Sequence, residues 1–467
     1  MTDNTRDSGD VISSSTPSDR RRADDAYAKL LARAGERWVQ PRLERTARLL
    51  EYLDNPQRTY RVVHITGTNG KTSTARMIES LIRAHGLRTG LFTSPHLVRF
   101  TERILIDGRP IDDSAVAEAW DELAPFLPIV DAELAQDDQE PLTFFEVLTA
   151  LAFVACADAP VDVLVLEVGM GGAWDSTNTA DGDVAVFTPI ALDHADRLGS
   201  TIEEIARVKA GIIKPGSLVV SAQQEPAAAA VLREVASDRG TSVAFEGSEF
   251  SRAGGALAVG GQLVTVQGLA GRYDEEFLPL FGAHQGDNVA LAVAAVESLI
   301  GGGEQRIAPD VLTEGFAEST SPGRMQLIGT EPTVLVDAAH NPHGAAALVQ
   351  ALEETFDVDE WGVVFGAMAD KDIAGIIEQL RPVISHLFAT EANSDRSASA
   401  DEIADIAEAA YLRPTVHRDI ADAADAAREW AAEGQKRAVV IVGSIVLGGE
   451  AIALARAEGW KKQGTDR

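Results

Sequence analysis

The segment from His64 to Thr74 (HITGTNGKTST) constrains the fold of this chain more than any other. An apolar run ends at Thr66, a Gly-rich turn follows, and the pattern of an amphipathic helix begins at Lys71 and Thr72. The N–H groups of such a turn and the N-terminus of the next helix bind phosphate, and the lysine reaches the terminal oxygens. Ile65 stands where the GxxxxGK[ST] pattern has its first glycine, so the match is incomplete. The segment predicts a phosphate-binding loop between a strand and a helix.

Apolar strand-like runs alternate with helix-period segments along most of the chain. Such strands form parallel sheets that are covered by helices on both faces. Residues 244–280 differ, because glycines and short alternating runs there predict hairpins. A second alternating series follows Thr320–Arg324 (TSPGR). We predict an α/β protein with a disordered polar tail over residues 1–24 and a P-loop-type, mostly parallel doubly wound domain with a small β subregion over 25–322. A smaller Rossmann-like α/β domain is expected over 323–467.

Charge and cysteine content exclude several classes of function. The chain has 41 Lys+Arg against 72 Asp+Glu, a formal charge of −31, whereas nucleic acids and anionic membranes require a basic surface. No run reaches the ~18 apolar residues of a membrane helix, and the polar N-terminus does not resemble a signal peptide, so we expect a cytoplasmic protein. Cys156, the one cysteine, excludes an internal disulfide and a Cys-rich metal site. Anionic small ligands stay open, since backbone N–H groups, a few cations and Mg²⁺ can hold them.

Other polar residues follow apolar strands. Glu167 ends the run VDVLVLE, and a carboxylate at a strand end beside a phosphate-binding loop is typical of Mg²⁺ sites, although acidic strand ends are common. Lys209 lies on the helix that follows a third such strand. Strand ends and the turns beside them form the ligand crevice of an open α/β sheet. Six of the nine histidines lie at such positions: His64, His96, His194, His284, His340 and His343.

Eight motifs, taken in order, resemble the signatures of the folylpolyglutamate synthase family, whose members are often bifunctional with dihydrofolate synthase and belong to the Mur ligase superfamily. The resemblance spans Leu49 to Gly449. It implies an ATP-dependent ligase that adds L-glutamate to the carboxylate of folate or dihydropteroate through an acyl phosphate, with a C-terminal glutamate-ligase domain. It further implies ATP, two Mg²⁺ ions and a monovalent cation as ligands, and a monomer. The motifs are GTNGKTS, SPHLVRFTERI, FFEVLTALAF, LEVGMGG-WDSTN, the segment that begins at Asp193 (DHADRLGSTIEEIARVKAGIIKPG), SPGR, VDAAHNPHG and GSIVLGGE.

The resemblance also assigns roles to individual positions. The residues implied in ATP binding are Thr68, Asn69, Gly70, Lys71, Thr72, Asn288, Arg324 and Asp337. Those implied as metal ligands are Ser94, Glu167 and His194. Those implied around a pterin ring are Phe144, Phe145, Glu146, Trp174 and Asp175. Aromatic rings can stack on a heterocycle, and core packing is an equally open interpretation of the two phenylalanines. Those implied near glutamate are His340 and Ser444, and catalysis is implied for Lys71, Lys209 and His340.

Lys209 occupies the position of a carbamylated lysine in the family. A neutral amine reacts with CO₂ to give an anionic carbamate, whose oxygens suit a hard metal. A salt bridge to Glu203, Glu204 or a phosphate is the alternative. The chain departs from the family at Ala173, where an arginine is usual, and at Val208, where a glutamate is frequent.

Two other functions fit the sequence less well. A cell-wall peptide ligase of the Mur type would carry an N-terminal sugar-nucleotide domain of ~100 residues, and the residues before Ile65 leave no room for one. A non-catalytic nucleotide-binding protein would not need the motifs of the second domain. The guanine-reading motif N-K-x-D is not matched by Ala369–Asp372 (ADKD), which lacks its asparagine.

Overall fold

A computed structural model describes residues 16–34, 42–193 and 195–460 of the chain. The part before residue 320 forms a large α/β domain around one eight-stranded sheet, in which strands follow the order β4-β3-β2-β5-β1-β6-β7-β8. The sheet is parallel from β2 to β8, and β3 and β4 extend it as antiparallel edge strands. Its strands are β1 Arg61–Thr66, β2 Thr89–Phe92, β3 Ile104–Ile106, β4 Arg109–Pro110, β5 Val163–Glu167, β6 Val184–Phe187, β7 Leu218–Ser221 and β8 Val243–Phe245.

A separate antiparallel three-stranded sheet follows in the chain, in the order β11-β10-β9. It corresponds to the predicted hairpin region. Its strands are β9 Ser251–Ala258, β10 Gly261–Gln267 and β11 Arg272–Leu278. The helices of the large domain are α1 Pro17–Leu31, α2 Leu43–Tyr52, α3 Lys71–Ala84, α4 Asp113–Leu123, α5 Leu127–Gln136, α6 Phe144–Asp158, α7 Ala195–Leu198, α8 Ile202–Lys209, α9 Pro226–Asp238, α10 Ala283–Gly301 and α11 Pro309–Ala317.

The small domain contains a six-stranded sheet in the order β12-β13-β17-β14-β15-β16, parallel except for β12. The predicted domain boundary at residues 322 and 323 falls between α11 and β12. Its strands are β12 Gln326–Thr330, β13 Thr333–Asp337, β14 Glu360–Phe365, β15 Ile384–Ala389, β16 Pro414–Val416 and β17 Arg437–Val442. Its helices are α12 Pro342–Thr355, α13 Ile373–Leu380, α14 Ala400–Ala409, α15 Ile420–Ala432 and α16 Ile445–Glu458.

Alternation along the central strands explains why helices cover both faces of the large sheet. In β5, Leu164 and Leu166 pack into one hydrophobic core, and Val163 and Val165 pack into another on the opposite face. Successive side chains of a strand point to opposite faces, so a strand that is apolar throughout needs a helical layer on each side. The phosphate-loop helix α3 covers one of these faces. Among the described residues no helix is long and apolar enough to cross a bilayer.

The predicted disordered tail is wrong for residues 17–24, which form the first half of α1. Thr16 and Asp19 make a reciprocal capping box at its start, and Pro17 lies in its first turn, where a proline costs no hydrogen bond. The helix buries Ala23 and Leu30 against the core of the large domain. Most of that apolar face comes after residue 24, so the polar stretch before it shows no hydrophobic periodicity from which a helix could be predicted. Residues 1–15 lie outside the described part of the chain.

Candidate active site

The predicted phosphate-binding loop connects β1 to α3 at the carboxyl edge of the large sheet. Gly70 caps α3 in the left-handed region, with φ of 86°, and a Cβ built on it would lie 2.8 Å from Oδ1 of Asn288. A side chain at this position would therefore be strained and would press on Asn288. Asn288 lies on α10 and donates to Gln285 at 3.1 Å. The loop and the first turn of α3 line a cleft of about 680 Å³.

Lys71 folds back over this loop. Its Nζ donates to the carbonyl oxygens of Gly67, at 3.1 Å, and Thr68, at 3.0 Å. Burial lowers the pKa of Lys71, while the carboxylates of Glu167 and Asp193 oppose that shift. The ammonium is thus held at the loop by carbonyl dipoles, which an anionic phosphate would replace with a stronger, charge-assisted interaction.

Glu167 lies next to Thr72 at the end of β5. The Thr72 hydroxyl donates to both carboxylate oxygens of Glu167, at 2.8 and 3.0 Å, and the backbone N–H of Ser94 lies 3.4 Å from Oε2. Burial raises the pKa of Glu167, and the positive charge of Lys71 opposes this. A buried hydroxyl and carboxylate form a hard oxygen donor set, which fits Mg²⁺ when phosphate oxygens and water complete the coordination.

No protein-only metal cage is present in the described residues: nowhere in them do three or more His, Cys, Asp or Glu side chains converge on one point. The predicted ligand His194 lies outside the described part of the chain, so its position relative to Glu167 stays a prediction.

Lys209 ends α8 and contacts the same loop. Its Nζ donates to the carbonyl of Gly67 at 2.7 Å, and only 4% of the residue is exposed. Burial and the nearby charge of Lys71 lower the pKa of Lys209 to about 7. Glu203 and Glu204 are both exposed, whereas Lys209 is buried. The carboxylate of Glu204 accepts the backbone N–H groups of Ser200 and Thr201 at the start of α8, and Lys209 lies at the other end of this helix. The lowered pKa favours the neutral amine of Lys209 more than in an exposed lysine.

The small domain forms the other wall of the cleft. His340 and Ser444 both line it, together with Arg324 of the connecting segment. Nδ1–H of His340 donates to the carbonyl of Ala338 at 2.9 Å, which leaves Nε2 as the acceptor, and burial lowers the pKa of His340 to about 4. With this pKa, the imidazole of His340 is neutral at physiological pH. Ser444 caps α16, where its hydroxyl accepts from the N–H of Val446 at 3.1 Å.

Asp337 lies at the end of β13 in the small domain, and Asn69 contacts that domain from the phosphate loop. Both oxygens of Asp337 accept backbone N–H groups, from Met325 at 2.9 Å and Ala339 at 2.8 Å, at the end of β13. Asn69 of the phosphate loop accepts from Asn341 at 3.1 Å, and its amide lies 2.9 Å from Nδ1 of His343. The loop thus contacts the first turn of α12 in the small domain.

The expectation that Phe144 and Glu146 border a ligand pocket is not met. Phe144 is 3% exposed in the hydrophobic core, and Glu146 forms a buried ion pair with Arg45 at 3.0 Å while it completes the capping box of α6. The first turn of α6 directs both side chains inward. Phe145 is half-buried and packs behind Gly169, which lines the cleft.

Trp174 and Asp175 lie behind the cleft wall. Asp175 is 4% exposed, and its oxygens accept the Thr177 hydroxyl and the backbone N–H of Met170 at 2.9 Å. Trp174 is half-buried beside Gly171. Both residues shape the turn that follows β5, and neither side chain lines the cleft. Ala173, where the family has arginine, donates its N–H to the carbonyl of Val208 at 2.8 Å.

An ion pair that crosses between the domains was not predicted from the sequence. Lys371 Nζ lies 3.5 Å from Asp193, with both side chains mostly buried at the cleft. Lys371 belongs to the segment Ala369–Asp372 (ADKD), in which the only recognisable pattern is an incomplete guanine-reading motif.

The basic lining of the cleft was not predicted either, because the chain as a whole is acidic. The cations that line the cleft are Lys71, Arg76, Arg99, Lys209, Arg324, Lys371, Arg396 and Arg456, against Glu102, Glu167 and Asp193.

Comparison with known proteins decides the family. The profile of the Mur ligase middle domain matches residues 65–296, and that of the Mur ligase glutamate ligase domain matches residues 323–445. The chain is 42% identical to a dihydrofolate synthase/folylpolyglutamate synthase of Mycobacterium tuberculosis, over 90% of this chain and 92% of that protein. The chain belongs to the dihydrofolate synthase/folylpolyglutamate synthase family. This confirms the predicted family and its enzyme class, an ATP-dependent ligase.

Solved structures of the family confirm the two-domain α/β fold. Folylpolyglutamate synthase of M. tuberculosis in complex with ADP superposes with a TM-score of 0.89 at 40% identity, over 94% of this chain and 99% of that one. A folylpolyglutamate synthase in complex with AMPPCP and folate superposes with a TM-score of 0.80 at 33% identity, over 92% of this chain and 99% of that one.

Proposed function

We propose that this chain catalyses the ATP-dependent addition of L-glutamate to the carboxylate of folates through an acyl phosphate. The observation that carries the proposal is the basic cleft between two domains, where a phosphate-binding loop faces His340 and Ser444. Relatives with nucleotide, and one with both AMPPCP and folate, support ATP and folate as ligands. A cytoplasmic monomer without nucleic-acid or membrane partners stays the expectation.

The chemistry needs activation of a carboxylate, because carboxylate oxygen is a poor leaving group. A carboxylate oxygen of folate attacks the γ-phosphorus of ATP, and ADP leaves. The amine of glutamate then attacks the carbonyl carbon of the acyl phosphate, loses a proton, and expels phosphate, which retains the former carboxylate oxygen. Each step gathers negative charge at the loop, where Lys71 and Arg324 would neutralise it.

Thr72, Glu167 and Ser94, with His194, would hold Mg²⁺ in this cleft. When bound, Mg²⁺ would draw charge from the phosphate oxygens and fix their direction. Thr68 to Thr72, Asn288, Arg324 and Asp337 are proposed to bind ATP. Asn288 would do so from a position next to Gly70 of the loop, and Asp337 from the end of β13, where it accepts the N–H of Met325.

His340 and Ser444 are proposed to position glutamate. The Nε2 atom of a neutral His340 can accept a hydrogen bond from the amine, and its uncharged state avoids repulsion of the ammonium form. Phe145 and the backbone beyond Glu167 are proposed to border the pterin, with Trp174 and Asp175 supporting that turn from behind.

Carbamylation of Lys209 is proposed as the modification that completes the site. The lowered pKa leaves a neutral amine available to CO₂ at pH 7, and the buried Nζ lies beside Gly67 of the loop. A carbamate there would replace a buried cation by an anionic oxygen group that favours a divalent metal.

A side-by-side ligation assay tests the proposed function. Purified protein is supplied with ATP, Mg²⁺, L-glutamate and either tetrahydrofolate or dihydropteroate, and products are resolved by mass spectrometry. We expect one glutamyl residue to be added to both acceptors, with ADP formed in equal amount. ADP formation that does not depend on an acceptor and on glutamate would reject the ligase.

A further inference from the structure

The loop Thr93–Arg99 between β2 and the turn before β3 belongs to the large domain and lines the cleft. Its shape is fixed by Glu102, which accepts three successive backbone N–H groups: Leu97 at 2.9 Å and Val98 at 3.1 Å on Oε2, and Arg99 at 3.0 Å on Oε1. At the other end of the loop, Ser94 N–H approaches Glu167. The loop therefore extends from the phosphate site at Ser94 to Leu97, whose backbone is held by Glu102.

Leu97 crosses to the small domain. Its side chain packs against the hydrophobic core formed by β12, β13, β17 and α16, and among the described residues it is the one member of that cluster that precedes residue 320. A Cβ built on Gly323 would lie 3.0 Å from Leu97 Cδ2, which places the side chain against the connecting segment as well. The side chain of Leu97 thus lies in an apolar pocket formed by residues of the small domain.

The backbone of Leu97 contacts α16 even more closely. A Cβ built on Gly449 would lie 2.7 Å from the carbonyl carbon of Leu97 and nearer still to its oxygen. Real Cβ atoms do not approach backbone this closely, so only glycine permits the present spacing between loop and helix. The same helix presents Ser444 to the cleft at its first turn, and the same loop presents Ser94 three residues before Leu97.

We infer that the contact of Leu97 with Gly449 sets the spacing of the two domains across the cleft, and that Leu97, Gly449 and Glu102 are positioning residues for the transfer reaction. Only the expected effect on the kcat of ligation rests on the proposed function; the effect on the distance between the domains does not. Two other contacts between the domains, Asn69 with α12 and Lys371 with Asp193, are polar and can be exchanged for water. A third joins the side chains of Phe281 and Phe356, whose ring centroids are 5.5 Å apart, and side chains can adjust their positions. The Leu97 contact is fixed sterically, because a backbone carbonyl cannot turn away from a new methyl group as a flexible side chain can.

The test is the distance between the domains, measured without substrate. Spin labels are placed at cysteines that replace the exposed Asp238 of the large domain and Glu408 of the small one, while buried Cys156 stays unlabelled. We expect Gly449→Ala to shift or broaden the distance distribution. Gly448→Ala is the matched control, because its Cβ meets Val336 of the same domain, and it should keep the wild-type distribution.

Leu97→Ala provides a second variant in case Gly449→Ala does not fold. It should broaden the distribution, whereas its neighbour Val98→Ala and the conservative Leu97→Met should not. In ligation, Gly449→Ala should lower kcat ~10- to 100-fold, as displacements near 1 Å do, and should change KM for ATP less than kcat. The inference would be overturned if Gly449→Ala and Leu97→Ala kept the wild-type distance distribution. It would also be overturned if Gly448→Ala, Val98→Ala and Leu97→Met changed the distribution as much as these two variants do. A shifted distance in Gly449→Ala, together with a wild-type protein that ligates no glutamate, would support the spacing role and reject the proposed function.

Discussion

The ammonium of Lys209 and the carbonyl of Gly67 are joined by a 2.7 Å hydrogen bond, although 142 residues separate them in the chain. Gly67 also accepts from Lys71 at 3.1 Å. Two lysines therefore meet at one carbonyl of the phosphate-binding loop, and burial together with their mutual repulsion lowers the pKa of Lys209 to about 7. Lys71 keeps a positive charge at the loop for anionic groups, while the lowered pKa of Lys209 makes its neutral amine available for modification.

Replacing Lys71 should abolish ligation and preserve the fold. Lys71→Ala removes the cation that would offset charge on the transferring phosphoryl group, and such a contact is worth ~3–4 kcal/mol, or ~10²–10³-fold in kcat. The control is Lys436→Ala, which removes an exposed lysine paired with Asp357 and should keep wild-type kcat. Retention of more than about a tenth of wild-type kcat by Lys71→Ala would withdraw this role.

Lys209→Ala should lose most activity, and acetate or formate should restore part of it by supplying the missing carboxylate. Because the neutral amine is the reactive form and its pKa is about 7, CO₂-depleted wild type should regain activity faster at pH 8 than at pH 6 when both solutions are held at the same concentration of dissolved CO₂. Ligation is measured in both series. Full activity of Lys209→Ala in CO₂-free buffer would contradict the carbamate.

Glu167→Gln should remove the effect of Mg²⁺ on nucleotide binding. The neutral amide is a weaker ligand than carboxylate and no longer accepts equivalently from Thr72. Calorimetry with ADP should show Mg²⁺ tightening binding to wild type and to the surface control Glu234→Gln, but not to Glu167→Gln. Equal tightening in all three proteins would show that Glu167 does not hold the ion.

His64 should make the protein sensitive to acid. It is fully buried, its Nε2 lies 2.9 Å from the Thr177 hydroxyl, and burial lowers its pKa from 6.5 to about 3. Between these values the unfolded chain binds a proton that the folded chain does not, so the free energy of unfolding falls as pH drops from 6.5, by at most ~1.4 kcal/mol per pH unit from this group. Urea denaturation at several pH values should show that the free energy of unfolding falls less steeply with decreasing pH in His64→Gln than in wild type over pH 4 to 6.5. The same pH dependence in both proteins would contradict this role of His64.

Much of the fold follows from local pattern. β1 and β5 are mostly apolar, and a Gly-rich turn followed by an amphipathic helix begins after β1, so this strand, loop and helix could be predicted from the local sequence. The helix over residues 17–24 was not readable, because its stability comes from a capping box and from apolar residues further along.

The inward direction of Phe144 and Glu146 was equally hidden, since it depends on the buried partner Arg45, about a hundred residues earlier in the chain. Contacts between the domains, such as Asp193 with Lys371 and Leu97 with Gly449, join segments that no local pattern relates. Chemistry-bearing residues at strand ends could be predicted, and the partners that fix their direction could not.

The fate of one oxygen atom tests the central claim most directly. The protein is supplied with ATP, Mg²⁺, L-glutamate and a folate whose reacting carboxylate carries ¹⁸O at both oxygens, and the released phosphate is examined by mass spectrometry. Transfer through an acyl phosphate predicts one ¹⁸O atom in each phosphate, with ADP and the glutamylated folate formed in equal amount. Unlabelled phosphate, or AMP and pyrophosphate in place of ADP, would contradict it.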